Sequence, residues 1–299
     1  MKSINKAISI IHKKIFKTTT RPLAPLFFEI LVTNICNMKC FSCSTLCDKP
    51  FGTNSFRDEP YKIEPNDLNI FLRRLRGLYP EHWVRLEGGE PTLLDYKTMM
   101  ELCKICYNND RKVDILTNGY RLKEYDPYWF DAIILDDHGT NHQKIIECKK
   151  FLESNKYRSY YIHNQKFHYD LDYMRKNNIT LGQRCPEWMN TISLYKQVVY
   201  PCCVMCYLDG WSNELDITED LRKASFTISN PDLGHYLKNW RKYLPNSVYK
   251  MCSIGCWRDS KNIKKIYLNE QIISNNIQDY VPSNHDNLIT NENPISSNS

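Results

Sequence analysis

Hydrophobic and polar residues follow two alternating periods along most of the chain, one typical of strands and one of helices. Short apolar runs bounded by turn residues predict strands within 26–33, 82–91, 112–119, 130–139 and 157–164, and the second and third of these segments end in glycine-containing turns. Apolar residues at helical spacing predict amphipathic helices at 65–78, 96–109 and 142–155. Strands that alternate with helices indicate βαβ units, and therefore an α/β fold with a parallel sheet or barrel.

The ends of the chain differ from this pattern. Residues 1–25 begin with isoleucines at helical spacing among lysines, which predicts a basic amphipathic helix followed by a linker. Such a helix would make weak contact with a membrane surface, bind a partner, or pack on the main domain, and the sequence leaves these readings open. We expect a barrel domain at 26–183, a cysteine-rich module with a short β-hairpin at 184–274, and a disordered, Asn- and Ser-rich tail at 275–299.

Composition narrows the classes of function. The net charge is +6 without a concentrated basic stripe, so we expect no nucleic-acid partner. No uncharged apolar run is long enough to span a membrane, and the first residues lack a secretory signal. We therefore expect a reducing cytoplasm, where the 13 cysteines are better explained as metal ligands or buried thiols than as disulfides.

Three sequence motifs follow the first three predicted strands. The first, CNMKCFSC, places Cys36, Cys40 and Cys43 in one loop; GGEP at 88–91 and TNG at 117–119 follow the next two strands. In α/β barrels the loops after the strands build the active site, so these motifs are expected to meet. Three thiolates can hold a metal centre with one position left open, although thiolates suit zinc as well as iron–sulfur clusters.

The order and spacing of these motifs resemble those of the radical S-adenosylmethionine (radical SAM) superfamily. The resemblance covers residues 26–180 and implies a partial (β/α)6 TIM-type barrel. It also implies a [4Fe–4S] cluster on Cys36, Cys40 and Cys43, with S-adenosylmethionine (SAM) bound to the remaining iron. Reductive cleavage of SAM would then give a 5′-deoxyadenosyl radical, which abstracts hydrogen from the substrate. In such enzymes the cofactor carries the chemistry, and the protein supplies orientation and excludes water.

The same resemblance assigns roles to five residues of the later loops. Gly88 and Gly89 would line the methionine end of SAM, and Glu90 or neighbouring carbonyls would receive its ammonium group. Asn118 would lie close to SAM, and Asp136 would contact its ribose. The alternatives are structural: Glu90 caps the next helix, Asn118 forms a plain turn, and the residues after Asp136 (Asp137 and His138) face the substrate or merely shape their loop.

The cysteine loop also departs from the family pattern. The family carries an aromatic residue just before the third cysteine, where this chain has Ser42 preceded by Phe41, so the adenine contacts stay unassigned. Cys47 is an additional thiol, which we interpret as a buried loop cysteine rather than a ligand. The remaining cysteines in predicted helices are interpreted as small core residues: Cys103, Cys106 and Cys148.

A second group of cysteines resembles the C-terminal auxiliary-cluster module of radical SAM enzymes, in its SPASM or twitch form. The resemblance implies one auxiliary [4Fe–4S] cluster, and its preferred ligands are Cys185, Cys202, Cys252 and Cys256, with Cys203 and Cys206 as substitutes. A structural zinc ribbon would use the same ligand chemistry and remains the alternative. A helix carrying Asn230, Leu237 and Trp240 before the last cysteine pair adds to the resemblance.

The resulting hypothesis is a radical SAM enzyme that attacks an unactivated C–H bond. Its substrate would be a peptide or a small molecule, and the outcome peptide or protein modification, or dehydrogenation. Such an enzyme needs an electron donor such as flavodoxin or ferredoxin. The alternative is a non-catalytic iron–sulfur or zinc protein that transfers electrons or senses redox state. Fold does not choose between these, because function resides in the site.

Overall fold

The computed structural model describes residues 27–40, 43, 45, 47, 50–52, 57–76, 78, 82–164, 191–200, 205, 206, 209 and 218–237. Its strands are Phe27–Thr33 (β1), Trp83–Gly88 (β2), Lys112–Thr117 (β3), Ala132–Asp137 (β4), Tyr160–Asn164 (β5), Thr191–Tyr195 (β6), Val198–Tyr200 (β7) and Phe226–Thr227 (β8). Its α-helices are Pro65–Arg74 (α1), Tyr96–Asn108 (α2), His142–Ser154 (α3) and Thr218–Ala224 (α4). The predicted N-terminal helix and the predicted tail lie outside the described residues.

The strands form one open sheet in the order β5-β4-β3-β2-β1-β6-β7-β8. Every pair from β5 to β6 is parallel, and β7 and β8 continue the sheet in antiparallel fashion. The predicted fold class is confirmed, since an unclosed, mostly parallel α/β sheet is consistent with a partial TIM-type barrel. Because β1 to β4 point the same way, the loops that follow them emerge at one edge, which we call the loop edge.

The helices begin where the sequence supplies capping groups. Pro65 occupies the first turn of α1, where its missing N–H costs no hydrogen bond. Asp95 caps α2, because its carboxylate accepts hydrogen bonds from both the backbone N–H and the hydroxyl of Thr98, at 2.8 Å each. Helices α1, α2 and α3 end within four residues of their predicted limits.

The helices cover one face of the sheet, and most of the buried apolar residues of the strands point to that face. The helix-side core includes Phe28, Ile30, Val84, Leu86, Val113, Ile115, Ile133 and Leu135. The predicted helix stripes are buried there as well, and so are Cys103, Cys106 and Cys148, which confirms their interpretation as core residues. Since side chains alternate along a strand, the residues between these apolar positions point to the opposite face, which we call the inner face.

The predicted hairpin joins this sheet at β1. Strand β6 runs parallel to β1, with Phe27 opposite Thr191 and Ile30 opposite Leu194. Its turn contains Lys196 at φ +51°, in the left-handed region where glycine is the usual residue. The chain thus makes this turn without a glycine. The division of the chain at 183/184 into barrel and module stays a prediction.

Candidate functional site at the loop edge

The backbone of the GGEP turn is attached to the start of the cysteine loop. The N–H of Gly89 donates to the carbonyl of Thr33 at 2.7 Å, and the N–H of Glu90 donates to that of Ile35 at 2.8 Å. These bonds extend the pairing of β1 with β2 beyond the two strands. The residue before Cys36 is therefore held in place by the neighbouring loop.

The two glycines are required by this close approach. A Cβ on Gly88 would collide with the backbone oxygen of Thr33, and a Cβ on Gly89 with the backbone of Ile35. Gly88 also has φ +130°, which disfavours any side chain. The structure thus gives both glycines a role in seating the cysteine loop, and their contact with the methionine end of SAM stays a prediction.

Glu90 connects the loops after β2 and β3. Its side chain is fully buried, and its Oε1 accepts from the N–H of Thr92 (2.9 Å), the hydroxyl of Thr92 (2.6 Å) and the hydroxyl of Thr117 (2.5 Å). Its Oε2 accepts from the N–H of Asn118 at 2.7 Å. Burial raises the pKa of Glu90, while these four hydrogen bonds act in the opposite direction.

Glu90 therefore has the capping role given above as the alternative to SAM binding, because its side chain caps the 3₁₀ turn Pro91–Leu93. Both of its oxygens already accept hydrogen bonds from the protein. Its reception of the SAM ammonium, or reception by neighbouring carbonyls, stays a prediction.

Asn118 extends the same network to the cysteine loop. Its Nδ2 donates to the side-chain oxygen of Asn37 at 3.0 Å and lies 3.7 Å from Sγ of Cys36. Its own carbonyl accepts from Asn141 Nδ2 at 3.1 Å. Asn118 thus lies beside the first predicted cluster ligand, and its side-chain oxygen also accepts from the N–H of Tyr120 at 3.0 Å, as expected of the alternative turn role. Its closeness to SAM stays a prediction.

Exposure separates the predicted cluster ligands from the other cysteines. Cys36, Cys40 and Cys43 are partly exposed, whereas the other cysteines that the structure describes are buried: Cys47, Cys103, Cys106, Cys148 and Cys206. Thiols that bind a cluster with an open position must reach solvent or ligand, while core thiols need not. By exposure, these three thiols are the described cysteines that a [4Fe–4S] cluster can reach. Among the described residues, no three His, Cys, Asp or Glu side chains are gathered closely enough to hold a metal ion, so the cluster stays a prediction.

Sequence reasoning missed the contact between Thr45 and two thiols of this loop. Thr45 Oγ1 lies 3.1 Å from Sγ of Cys43 and 3.1 Å from Sγ of Cys47. Cys47 is buried, as predicted, and its thiol also lies 3.5 Å from the carbonyl oxygen of Asn34. The spacing Cys-x-Thr-x-Cys was the available signal, although Thr45 and Cys47 lie in turns and not in a strand.

Asp136 lies on the inner face at the end of β4, between two imidazoles. His163 Nδ1 is 3.1 Å and His138 Nε2 is 3.4 Å from its carboxylate oxygens. The hydrogen bond with Asp136 raises the pKa of His163, whereas burial lowers the pKa of His138. Contact of Asp136 with the ribose stays a prediction. His163, near the end of the predicted strand 157–164, was not predicted as a site residue.

A second imidazole–carboxylate pair lies on the helix side. Asp137, next along β4, accepts from His142 at 2.6 Å and from the N–H of Gly139 at 2.8 Å. Burial opposes ionisation of Asp137, but these hydrogen bonds outweigh it and lower its pKa. Asp137 therefore shapes the loop before α3, which was one of its two predicted roles, while His138 lies on the Asp136 side.

Other charged groups continue along the inner face. Arg85 makes a two-pronged ion pair with Asp114, at 3.0 and 2.9 Å, between adjacent strands. Glu29 accepts from the hydroxyl of Ser193 at 2.9 Å. The inner face below the cysteine loop thus carries several charged groups, alongside the buried apolar side chains of Leu31 and Ile134.

The predicted auxiliary site falls almost entirely outside the described residues, which include Cys206 but not Cys185, Cys202, Cys203, Cys252 or Cys256. Cys206 is buried, and so is Leu237, which belongs to the helix predicted before the last cysteine pair. The auxiliary ligand set therefore stays a prediction.

No protein-family profile matches the chain. It is similar to GTP 3′,8-cyclase of Tolumonas auensis, with 30% identity over 109 residues, which are 36% of this chain and 30% of that protein. GTP 3′,8-cyclase of Actinobacillus pleuropneumoniae is 32% identical over 113 residues, 37% of this chain and 31% of its own length. The chain thus matches about a third of the length of these curated relatives.

The fold is similar to that in the crystal structure of BtrN in complex with AdoMet and 2-DOIA. The TM-score is 0.53 at 15% identity, covering 76% of this chain and 90% of that one. In the described part of the chain, no helix is long and apolar enough to cross a membrane. The sequence relatives, together with the cysteine loop and the two turns that meet it, support the resemblance of this chain to radical SAM superfamily enzymes.

Proposed function

We propose that this protein is an enzyme that cleaves SAM reductively at a [4Fe–4S] cluster on Cys36, Cys40 and Cys43. The cleavage would supply a 5′-deoxyadenosyl radical, which abstracts hydrogen from a substrate C–H bond. One observation carries this proposal: the three partly exposed cysteines lie on the loop that the GGEP and TNG turns hold at the loop edge.

The chain's own residues supply orientation. The bonds from Gly89 and Glu90 to the β1 loop fix the approach of Cys36, and Asn118 sits beside its sulfur. A site held by backbone bonds between rigid strands keeps its geometry better than one on a free loop. This arrangement supports binding of SAM along the edge formed by Gly88, Gly89, Asn118 and Asp136, with a backbone carbonyl or Glu90 as the acceptor for its ammonium group.

The substrate would lie against the inner face. That face carries Arg85, Asp114, Glu29 and the Asp136–His163 pair, so it suits a polar molecule with hydrogen-bonding groups. We propose dehydrogenation of a small molecule or modification of a peptide or protein as the outcome. BtrN, the fold neighbour, was crystallised with AdoMet and 2-DOIA.

Three further parts of the proposal rest on the sequence. An auxiliary [4Fe–4S] cluster on Cys185, Cys202, Cys252 and Cys256, with Cys203 and Cys206 as substitutes, accounts for the second cysteine group. Electrons would come from a donor such as flavodoxin or ferredoxin. The cytoplasm is the compartment that keeps this many thiols reduced.

The proposal is tested by anaerobic reconstitution with iron and sulfide, followed by SAM and dithionite. Two cubane clusters would give about eight irons per chain. We expect 5′-deoxyadenosine to form. Replacing Cys36, Cys40 and Cys43 together with alanine should remove about half of the iron and abolish 5′-deoxyadenosine.

The matched control is Cys103→Ala, which removes a buried thiol from α2 and should leave both readouts unchanged. Stoichiometric zinc without SAM cleavage would contradict the proposal and favour the non-catalytic alternative. Unchanged iron in the triple variant would show that the ligand assignment is wrong.

A further inference from the structure

Thr45 lies between a predicted cluster ligand and a buried thiol. Its hydroxyl oxygen is 3.1 Å from Sγ of Cys43 on one side and 3.1 Å from Sγ of Cys47 on the other. Thr45 and Cys47 are both 4% exposed, whereas Cys43 is partly exposed. The three side chains thus form a short hydrogen-bonded chain that leads from the protein interior to the ligand.

The direction of these hydrogen bonds follows from the chemistry of the ligand. A cysteine that binds a metal does so as a thiolate, so Cys43 carries no proton and can only accept. The hydroxyl proton of Thr45 must then point to Cys43. The lone pairs of Thr45 are left for the S–H of Cys47, for which the carbonyl of Asn34, at 3.5 Å, and the sulfurs of Cys36 and Cys43 are competing acceptors.

A hydrogen bond to a ligand sulfur changes the reduction potential of a cluster. Reduction adds negative charge that spreads onto the sulfurs, and a donor stabilises the reduced form more than the oxidised form. Burial strengthens this effect, because the hydroxyl of Thr45 has no bulk water around it to compete. Removing the donor should therefore make the cluster harder to reduce.

We propose that Thr45 is a positioning residue that raises the reduction potential of the cluster on Cys36, Cys40 and Cys43, with Cys47 orienting its hydroxyl. The inference rests on the proposed function, because it needs that cluster. Thr45 lies outside the ligand set, and its hydroxyl would control how readily the cluster accepts the electron needed for SAM cleavage.

The test is a redox titration of the reconstituted full-length protein, followed by electron paramagnetic resonance. Addition of SAM identifies the signal of the cluster that binds it. At the wild-type midpoint, Thr45→Val should lower the ratio of reduced to oxidised cluster about tenfold, which corresponds to about 59 mV for one electron. Thr45→Ser keeps the hydroxyl and should restore the wild-type midpoint.

Cys47→Ala should shift the midpoint in the same direction, because Thr45 loses its orienting neighbour and the sulfurs of Cys36 and Cys43 lose a hydrogen-bonding thiol. Cys106→Ala, which removes a buried thiol from α2, should leave it unchanged. If Thr45→Val takes up no iron, Thr45→Ala is measured instead, with the same expected shift.

An unchanged midpoint in the hydroxyl-free variant overturns the inference, and so does an equal shift in Thr45→Ser. In either case the wild type would still show a SAM-responsive cluster, so the proposed function would stand. A wild type without any SAM-responsive cluster would instead refute the proposed function.

Discussion

Replacing Glu90 with glutamine would remove one of two buried oxygens that accept hydrogen bonds from the loops after β2 and β3. The amide oxygen can keep the place of Oε1 and its three donors, Thr92 N–H, Thr92 hydroxyl and Thr117 hydroxyl. The NH₂ group then faces the N–H of Asn118, where Oε2 had accepted at 2.7 Å. One charged hydrogen bond is lost, and a buried donor is left without an acceptor.

The cost can be worked from these contacts. Losing a hydrogen bond to a charged group and leaving a buried N–H unpaired together cost about 3–5 kcal/mol. Burial raises the pKa of Glu90, so its buried charge is itself unfavourable, and removing that charge offsets part of this cost. We therefore expect a net loss of stability of about 2–4 kcal/mol. A domain with about 5–15 kcal/mol of stability would be visibly weakened.

Equilibrium urea unfolding of wild type and variant, in the same state of cluster loading, measures this loss. The matched control is Glu124→Gln, since Glu124 is exposed and pairs with Arg121 at the surface. Exposed pairs contribute about 0–1 kcal/mol, so the control should stay close to wild type. A change below about 0.5 kcal/mol in Glu90→Gln, or an equal change in the control, would refute this account of the network.

Two further predictions concern neighbouring groups. Gly89→Ala should destabilise the protein by about 2 kcal/mol or more in urea unfolding, because the added Cβ would meet the backbone of Ile35. The control is Gly234→Ala, which should cost under about 0.5 kcal/mol because there is open space at that position. Equal losses of stability in the two variants would contradict the reasoning. Asp136→Asn should lower the pKa of His163, as measured by NMR of labelled histidine. Since the pKa of His163 is raised in the folded state, its pairing stabilises fully below the ordinary pKa of about 6.5 and is lost as pH rises through the folded value. An unchanged pKa in the variant would show that the 3.1 Å contact with Asp136 does not control the titration.

The strands and helices were predictable because their signal is local. The stripe Leu68, Phe71, Leu72 and Leu75 is helical by spacing alone, and all four residues are buried in α1 or at its end. The cysteine loop, GGEP and TNG were predictable as a group, because each follows a strand and parallel strands end at one edge.

The network within that group was not predictable, because it depends on the alignment of separate strands. Glu90 meets Thr117, 27 residues later, through the register of β2 with β3. The pairing of β6 with β1 was likewise missing from the prediction, since periodicity tells which residues form a strand but not which strand becomes its neighbour. His163 reaches Asp136 by the same kind of cross-strand pairing.

The position of β6 beside β1 has a consequence for synthesis of the chain. Residue 30 pairs with residue 194, so the side of β1 that faces β6 stays uncovered until more than 160 further residues have been made. Domains begin to assemble from the N-terminal side as they are translated, and an unpaired strand edge is a template for association with other chains. The strand that carries the cysteine loop is thus made before the other described strands of the sheet, but one of its edges is covered only after β6 has been made. Contacts this distant in sequence also slow folding, so closure of the sheet at β1 is expected to be a late step.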